Sequence, residues 1–351
     1  MQQEDKQVLV IGGGVAGLTA AHALARGAIT VHLVEKAAVI GGHAARYACK
    51  AAEACVNCGA CLAGTACRAA EENPMIHKRL NTQVTKVSPG QPYEITVSAG
   101  DHEAPQPNAL ITADAVIIAS GFSPFRPSKK PYGWGHFPNV VTTLELEHSL
   151  LTHGAPLRPS DGAPAQKMAF IQCVGSRDAS LGHLWCSKIC CGSALRMARW
   201  IQSRRPDTEV HFFYIDIQTF GKDFHTVYDD AKNAIRMVRI IPSDVIPLPE
   251  DRLQLGYFDP VGNRGVDETV DLVVLSIGMT PGTDTAQFSD WFGARQAATG
   301  FFHPVTAGED AMPPGIFTAG AATGPMSIPE AIASGRQAAL YAQNYLSGPK
   351  T

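Results

Sequence analysis

The chain has 351 residues, of which 45% are hydrophobic and 17% are charged, and its formal net charge is -3. This composition excludes a disordered chain, and the small acidic charge gives no electrostatic reason to expect a nucleic-acid partner. The length allows two domains. Because neither a signal peptide nor an 18-residue apolar run is present, we expect a cytoplasmic protein with no membrane span. Clustered cysteines in such a protein bind metal or act in catalysis more often than they form disulfides.

The first predicted elements are a strand, a glycine-rich turn, a helix and a second strand. An apolar strand at 8–11 leads into the Gly-x-Gly-x-x-Gly run at 12–17 and an apolar helix at 18–25, and a second strand at 30–34 ends at Glu35. This order of elements, with an acidic residue after the second strand, is typical of a dinucleotide-binding domain. A glycine-rich turn without a ligand is the less specific interpretation.

Each glycine of the turn has its own part in dinucleotide binding. Gly12 permits the tight turn, Gly14 lets a pyrophosphate approach the backbone, and Gly17 allows helix and strand to pack closely. The N–H groups at the helix start attract the phosphates, and Glu35 can accept hydrogen bonds from a ribose diol. We therefore predict that these four residues bind the nucleotide.

Five cysteines follow between residues 49 and 67. The Cys-x2-Cys-x2-Cys pattern at their centre is that of a ferredoxin loop, although the next spacing is longer and the usual proline is missing. Three interpretations are open: a second Fe–S cluster, a dithiol that exchanges with a flavin, or a site completed by a partner protein. The ligands of a second cluster would be Cys55, Cys58, Cys61 and Cys67, and the fifth cysteine is Cys49.

The middle of the chain is predicted to form a second domain. A helical piece around 144–151 precedes a stretch rich in Pro, Gly and Asp at 153–164, which indicates a surface connection. Two buried strands are predicted at 168–173 and 210–216, with a helix at 192–204 between them. Two later segments, 236–245 and 252–258, have the pattern of antiparallel strands.

Four cysteines lie where the first strand of this domain meets its helix. Cys173, Cys186, Cys190 and Cys191 have the spacing Cys-x12-Cys-x3-Cys-Cys, and of a glycine fingerprint only Gly175 is present. Without that fingerprint we predict that the domain does not bind NAD(P)H productively. Four convergent thiolates suit an Fe–S cluster or zinc, because soft sulfur ligands select these metals. Buried apolar cysteines are the alternative.

Several segments resemble glutathione-reductase-like flavoproteins, which implies that the nucleotide is FAD. The glycine pair at 41–42, the strands at 114–121 and 271–281, and the strand at 315–320 all resemble segments of that family, although Ala321 replaces the final aspartate. A capping box, Ser327 with Glu330, starts a helix at 331–345 whose free N–H groups would face the flavin. The resemblance adds five residues to the FAD site: Lys36, Gly42, Gly121, Gly320 and Ile328.

The segments around the four cysteines closely resemble the A-type subunits of heterodisulfide reductases. They are 173–178, 185–191 and 214–222, and 317–333 fits the same family. The resemblance implies a [4Fe–4S] cluster on Cys173, Cys186, Cys190 and Cys191 beside FAD. It also implies a basic catalytic residue near the flavin. Here this residue is Arg196 instead of lysine. Arginine does not exchange a proton easily, and this argues against electron bifurcation.

The sequence thus predicts an α/β, thioredoxin-reductase-like two-domain flavoprotein. A Rossmann-type FAD domain, 1–150 and 283–351, would contain an inserted nicotinamide-domain-like module at 151–282 that carries the Fe–S site. The resemblance implies an FAD- and iron–sulfur-dependent oxidoreductase, an electron-transfer subunit that forms a homodimer. It would act with heterodisulfide-reductase B- and C-like subunits in sulfur-compound oxidation, as the short forms of this subunit do in sulfur-oxidising prokaryotes. The alternatives are a stand-alone NAD(P)H-dependent disulfide reductase and a flavoprotein with structural zinc.

Overall fold

The chain divides into two compact units, and the second is inserted into the first. The first consists of Met1–Ala45, Gly59–Ser123 and Thr280–Thr351, and the second of Arg46–Cys58 and Pro124–Met279. The computed structural model describes residues 6–51, 54–88, 90–100, 108–218, 221–222, 224–305 and 312–348.

The units divide at residues 123/124 and 279/280, whereas the sequence predicts boundaries after residues 150 and 282. The helix Thr143–His153 runs across the first predicted boundary. This helix follows the strand Val140–Thr142, which pairs with the central sheet of the second unit. Residues 124–139, which precede that strand, therefore also belong to the inserted unit.

A five-stranded parallel sheet forms the centre of the first unit. Its inner strands are mainly apolar, as expected for a parallel sheet that is covered on both faces, whereas the edge strand Ile76–Arg79 is mainly polar. The helices Val15–Arg26 and Ile328–Leu346 pack closely. The contact leaves no room for a side chain at Gly335, since a Cβ there would lie 2.3 Å from the carbonyl oxygen of Ala16. The strand order is Ile316–Thr318, Ala115–Ile118, Gln7–Ile11, Thr30–Val34 and Ile76–Arg79.

An antiparallel sheet and two further helices complete the first unit. The helices are Ala60–Glu71 and Thr285–Phe292. Buried side chains of both sheets share one core, which contains Leu9, Ile95 and Phe302. The antiparallel strands are Thr82–Ser88, Tyr93–Ala99 and Ala109–Ala113.

The second unit also has a five-stranded parallel sheet, with cores on its two faces. Its strand order is Arg236–Val238, Glu209–Phe213, Lys167–Val174, Leu272–Ile277 and Val140–Thr142. Its helices are Thr143–His153, Cys190–Arg204 and Phe224–Ala234. A three-stranded antiparallel sheet consists of Asp244–Pro247, Leu253–Asp259 and Arg264–Val270.

The prediction of one antiparallel segment at 236–245 was wrong in its first half. Arg236–Val238 pairs in parallel with Glu209–Phe213, and only Asp244–Pro247 pairs antiparallel with Leu253–Asp259. The helix Phe224–Ala234 precedes the first of these strands. A strand that returns through a helical crossover joins its sheet in parallel.

The remaining elements are short. Over the described part of the chain, no helix is both long enough and apolar enough to cross a lipid bilayer. The strands Phe122–Pro124 and Met279–Pro281 lie where the chain passes between the units. The 3-10 helices are Gly42–Arg46, Pro127–Lys129, Ala179–Leu181, Pro249–Asp251 and Gly320–Thr323.

A buried ion pair attaches the segment Arg46–Cys58 to the second unit. The Lys50 ammonium contacts the Glu147 carboxylate, and both side chains are almost fully buried. The N–H of Ala48 donates to the same carboxylate at 2.7 Å. Burial raises the pKa of Glu147, and the charge of Lys50 opposes this shift. The pair explains why a segment far away in sequence belongs to this unit.

We expect Lys50→Met to lower the free energy of unfolding by about 3–5 kcal/mol, because it leaves a buried carboxylate without its cation. Without Lys50 the folded-state pKa of Glu147 stays above the unfolded value of about 4.3. The variant is therefore most stable below that value and loses stability as the pH rises through the folded-state pKa. Urea unfolding at several pH values measures both effects.

The control is Lys6→Met, which removes the half-exposed pair with Asp114 and should change the free energy of unfolding by less than about 1 kcal/mol. An equally small effect of Lys50→Met at neutral pH would contradict the assignment of a buried pair.

Candidate functional site

The predicted glycine turn of the first unit is formed by close backbone contacts. Gly12 has a φ of +106°, and a Cβ on it would lie 2.4 Å from the carbonyl oxygen of Ala119. A Cβ on Gly17 would lie 2.0 Å from the carbonyl oxygen of Gly12. Any larger residue at either position would separate the strand from the helix, so these two glycines shape the turn.

Gly14 has a different environment. It is the N-cap of the helix Val15–Arg26 and has an ordinary φ of -73°. Among the described residues, no atom lies within 4 Å of the position that a Cβ on Gly14 would take, and no side chain caps the helix start. The N–H groups there remain available for a phosphate. The backbone at Gly14 is thus open to a ligand while its neighbours are closed.

The backbone holds Glu35 beside this turn. The N–H groups of Gly13 and Ala37 each donate to one carboxylate oxygen of Glu35 at 2.7 Å, and each oxygen keeps a lone pair. The N–H of Gly41 donates to the carbonyl of Gly13 at 2.7 Å. Gly42 lies against the turn, since a Cβ on it would be 3.1 Å from the Cα of Gly14. The structure therefore brings Glu35 and Gly42 to the glycine turn.

Three further features of the first unit fit a dinucleotide. Within the described residues, the buried hydroxyl of Ser120 has no hydrogen-bond partner. A bound ligand would supply that partner. Gly121 has a φ of +75° and open space at its Cβ position. Gly320 packs closely on Ala16, because a Cβ on Gly320 would lie 2.4 Å from the Cβ of Ala16. These donors and open positions fit a bound dinucleotide, whose pyrophosphate Gly14 and the helix start would hold.

The other predicted FAD residues lie at the edge of this arrangement. Lys36 is exposed and forms an ion pair with Asp284 at 3.1 Å. Ile328 is the first residue of the capped C-terminal helix, and the capping box of Ser327 and Glu330 is confirmed. Contacts of Lys36 and Ile328 with a flavin remain predictions.

In the second unit, Cys173 lies in an irregularity of its strand. The pairing of Lys167–Val174 with Leu272–Ile277 shifts register between Ile171 and Val174, and Cys173 has a φ of +60°. This left-handed conformation interrupts the strand pattern and is energetically unfavourable for a residue with a side chain. Such strain concentrates at functional sites, so the conformation marks Cys173 as one.

The four predicted cysteines come together. Each of their thiols interacts electrostatically with the other three. Burial and the neighbouring Cys191 raise the pKa of Cys173 to about 11, and burial also raises the pKa values of Cys190 and Cys191. The Cys190 thiol donates to the carbonyl of Ile277 at 3.5 Å. A metal that binds here would displace these protons.

The four thiols could bind either an Fe–S cluster or zinc, and these two groups require different sulfur spacings. Tetrahedral zinc with Zn–S bonds of about 2.3 Å places its sulfur ligands roughly 3.8 Å apart. Among the described residues, only Glu209, His211 and Glu268 have three ligand atoms within 4.8 Å of one another, so no three of these sulfurs do. In a [4Fe–4S] cluster each cysteine binds a different iron. The wider arrangement therefore fits a cluster.

The segments 173–178 and 214–222 also form an ion pair beside the cysteines, which the sequence did not predict. Arg177 and Asp216 are joined at 2.5 Å, and the charge of Arg177 lowers the pKa values of Cys173 and Cys191, against the larger effect of burial. The Cys191 thiol donates to the carbonyl of Asp216 at 3.8 Å. Arg177 thus offsets negative charge at this site. Residues 219 and 220 of the resembling segment lie outside the described residues.

Aromatic side chains fill the turn after Cys173. A Cβ on Gly175, whose φ is +82°, would lie 2.1 Å from the Phe125 ring. His183 packs edge-on against Phe125 and contacts Trp185, and its Nδ1 lies 2.9 Å from the Gly175 carbonyl oxygen. These rings occupy the space through which a pyrophosphate would approach the turn.

The second group of cysteines is divided between the units. Cys49, Cys55 and Cys58 belong to the second unit, whereas Cys61 and Cys67 lie on the helix Ala60–Glu71 of the first. A Cβ on Gly41 would lie 3.1 Å from the Cys67 sulfur, and burial raises the pKa of Cys67. A four-cysteine ligand set from this group remains a prediction.

Arg196 belongs to the second unit and is buried, with 8% of its surface exposed. Its Nε donates to the carbonyl of Val56 at 2.8 Å, and its Nη1 donates to that of Gly192 at 3.1 Å. The guanidinium lies 5.3 Å from the centre of the Phe224 ring. A catalytic role of Arg196 near a flavin remains a prediction.

Comparison with known sequences finds relatives of this chain. The family of pyridine nucleotide-disulphide oxidoreductases matches residues 6–154. The A-type subunit of the H2:CoB-CoM heterodisulfide,ferredoxin reductase of Methanothermobacter marburgensis is 35% identical over 251 residues, which cover 69% of this chain and 38% of that protein. The A-type iron-sulfur subunit of the CoB-CoM heterodisulfide reductase of Methanocaldococcus jannaschii is 31% identical, and the match covers 95% of this chain and 63% of that protein. The chain thus spans less than two thirds of either relative.

Solved structures agree with the fold. Thioredoxin reductase from Lactococcus lactis matches with a TM-score of 0.65 at 18% identity, and the match covers 98% of this chain and 100% of that enzyme's chain. Thioredoxin reductase from T. acidophilum matches with a TM-score of 0.63 at 17% identity, and the match covers 97% of this chain and 99% of that enzyme's chain. These likenesses confirm the predicted thioredoxin-reductase-like α/β fold with two domains. With this fold and its identity to the methanogen proteins, the chain belongs to the family of heterodisulfide reductase A-type subunits.

Proposed function

We propose that the protein is an FAD- and [4Fe–4S]-dependent electron-transfer subunit of a heterodisulfide-reductase-like complex. One observation carries the proposal. Four mutually close thiols replace the nucleotide turn of the second unit, while the first unit keeps a turn that is open at Gly14. A chain with these two features is suited to hold one flavin and one cluster.

The residues of the chain would divide the work as follows. The backbone at Gly14 and the helix start bind the pyrophosphate, and Glu35 orients the ribose. The thiolates of Cys173, Cys186, Cys190 and Cys191 hold the cluster. A bound flavin supplies the conversion between two-electron and one-electron transfer, and the cluster carries single electrons.

We further propose that the complex contains B- and C-like subunits, that this subunit forms a homodimer, and that the complex oxidises sulfur compounds. The names of the relatives, each of which is one subunit of a larger reductase, support the need for partners. All nine cysteines are free of disulfides, which supports a reducing compartment, the cytoplasm.

An absorption spectrum of the purified protein, with iron and sulfide analysis, tests the proposal. Thiolate-to-iron charge transfer should give a broad shoulder near ~400 nm that dithionite bleaches, with about four irons per chain. A protein with flavin and zinc, but without iron, would contradict the proposal and support a structural zinc site instead.

We expect NADH not to reduce the isolated flavin rapidly, because Phe125 fills the turn at Gly175 where a second nucleotide would bind. Dithionite should reduce the same flavin readily. Stopped-flow absorbance measures both rates. Reduction by NADH at an ordinary catalytic rate of about ten per second or more would support a stand-alone NAD(P)H-dependent disulfide reductase.

A further inference from the structure

The ion pair of Arg177 and Asp216 is attached through its main chain to two of the four proposed cluster ligands. The N–H of Arg177 donates to the carbonyl of Trp185 at 2.9 Å, and Trp185 immediately precedes Cys186. The carbonyl oxygen of Asp216 lies 3.8 Å from the Cys191 sulfur. A positive and a negative charge, carried by two different segments of the chain, therefore lie beside the cysteines.

The side chains of this pair are fixed in place. Arg177 Nη1 and Asp216 Oδ1 are 2.5 Å apart, and Gln218 Nε2 donates to the same carboxylate oxygen at 3.1 Å. Arg177 has a φ of +54°, a left-handed conformation that is unfavourable for a residue with a side chain. The two side chains remain 28% and 38% exposed, and an ion pair of that exposure adds little stability to offset the strain. Strain of this kind concentrates at functional sites.

A fixed charge beside a redox centre changes the reduction potential of that centre. Reduction adds one negative charge to an Fe–S cluster, which a nearby cation stabilises and a nearby anion destabilises. The two members of the pair already act in opposite senses on the same sulfur atoms, because Arg177 favours the thiolates of Cys173 and Cys191 and Asp216 disfavours them.

We propose that Arg177 and Asp216 set the reduction potential of the cluster in opposite directions. Arg177 favours the reduced cluster and Asp216 favours the oxidised cluster, and their ion pair holds the two effects close to balance. The effect rests on the proposed function, since it requires the [4Fe–4S] cluster. It adds two residues that would decide the direction in which electrons pass through that cluster.

A redox titration of the purified protein, followed by the paramagnetic signal of the reduced cluster, measures the effect. Arg177→Gln leaves Asp216 without its cation, so the ratio of oxidised to reduced cluster at a fixed potential should rise about threefold to tenfold. Asp216→Asn leaves Arg177 without its anion, so the same ratio should fall by a similar factor. A tenfold change is a shift of ~59 mV for a one-electron couple.

Three further variants separate charge from structure. Arg177→Lys keeps the positive charge, and the double variant Arg177→Gln with Asp216→Asn removes both charges, so each should have a potential close to that of the wild type. Arg158→Gln is the matched control, because Arg158 forms an ion pair with Asp161 in the same unit. Arg158 precedes the strand Lys167–Val174, which carries Cys173 at its other end, so its loss should leave the potential unchanged.

Iron content, measured for every variant, distinguishes the possible failures. Unchanged potentials in Arg177→Gln and Asp216→Asn, with iron as in the wild type, would overturn this inference and leave the proposed cluster intact. Shifts of both variants in the same direction would also overturn it, because a structural disturbance would then be the cause. Wild-type protein without iron would overturn the proposed function and this inference with it. If Arg177→Gln fails to assemble a cluster, Asp216→Asn must still raise the potential and Arg177→Lys must still preserve it.

Discussion

Gly14→Val should yield a folded protein that contains almost no flavin. In the polypeptide itself a Cβ at this position meets nothing within 4 Å, and the φ of -73° suits any residue. The added side chain would instead fill the space that a pyrophosphate needs to reach the backbone. We expect the flavin content, measured by absorbance after purification, to fall from about one per chain to near zero.

Two other glycines separate this loss of flavin from a loss of fold. Gly64→Val, on the helix Ala60–Glu71, has only the flexible end of Arg68 within 4 Å of the new Cβ and should keep its flavin. Gly17→Val forces a contact of 2.0 Å with the Gly12 carbonyl and should prevent folding. Full flavin content in Gly14→Val would show that the nucleotide binds elsewhere.

Cys190→Ala and Cys191→Ala should each abolish the paramagnetic signal of a reduced cluster and leave the flavin bound. Both thiols interact with the other two cysteines of the set, and a cluster that loses one of four thiolates loses a ligand to one iron. The residues that we propose to bind the flavin belong to the other unit. Electron paramagnetic resonance of the dithionite-reduced protein and an iron assay, with an expected fall from about four irons per chain, make the measurement.

Cys58→Ala is the matched control, because it also removes one thiol of the second unit. Its cluster signal should equal that of the wild type. If the Cys58 variant loses all iron while the Cys190 variant keeps it, the cluster belongs to the cysteines between residues 49 and 67 and our assignment is reversed.

The features that the sequence predicted well are those with a local physical cause. The glycine turn needs particular backbone freedom at Gly12 and Gly17, and the capping box of Ser327 and Glu330 is formed within one helical turn. Cys190 and Cys191 also lie at the very start of their helix. In each of these cases the residues that interact are few and close together along the chain.

Features that depend on distant residues could not be predicted. Lys50 and Glu147 are 97 residues apart, so no periodicity shows that the segment 46–58 joins the second unit. Phe125 and Gly175 are also far apart in sequence, so their contact leaves no pattern in the sequence. The partner of the Arg196 guanidinium is the carbonyl of Val56, 140 residues away, and a backbone carbonyl leaves no sequence signal.

The ion pair of Lys50 and Glu147 has a consequence for dissecting the protein. The second unit is discontinuous, so a fragment cut at residues 124 and 279 would lack 46–58. Such a fragment would retain Glu147 as an isolated anion in an apolar interior and would expose the surface that Ala48 covers. The smallest autonomous piece must therefore carry both stretches, joined by a linker that replaces the intervening strands and helix of the first unit.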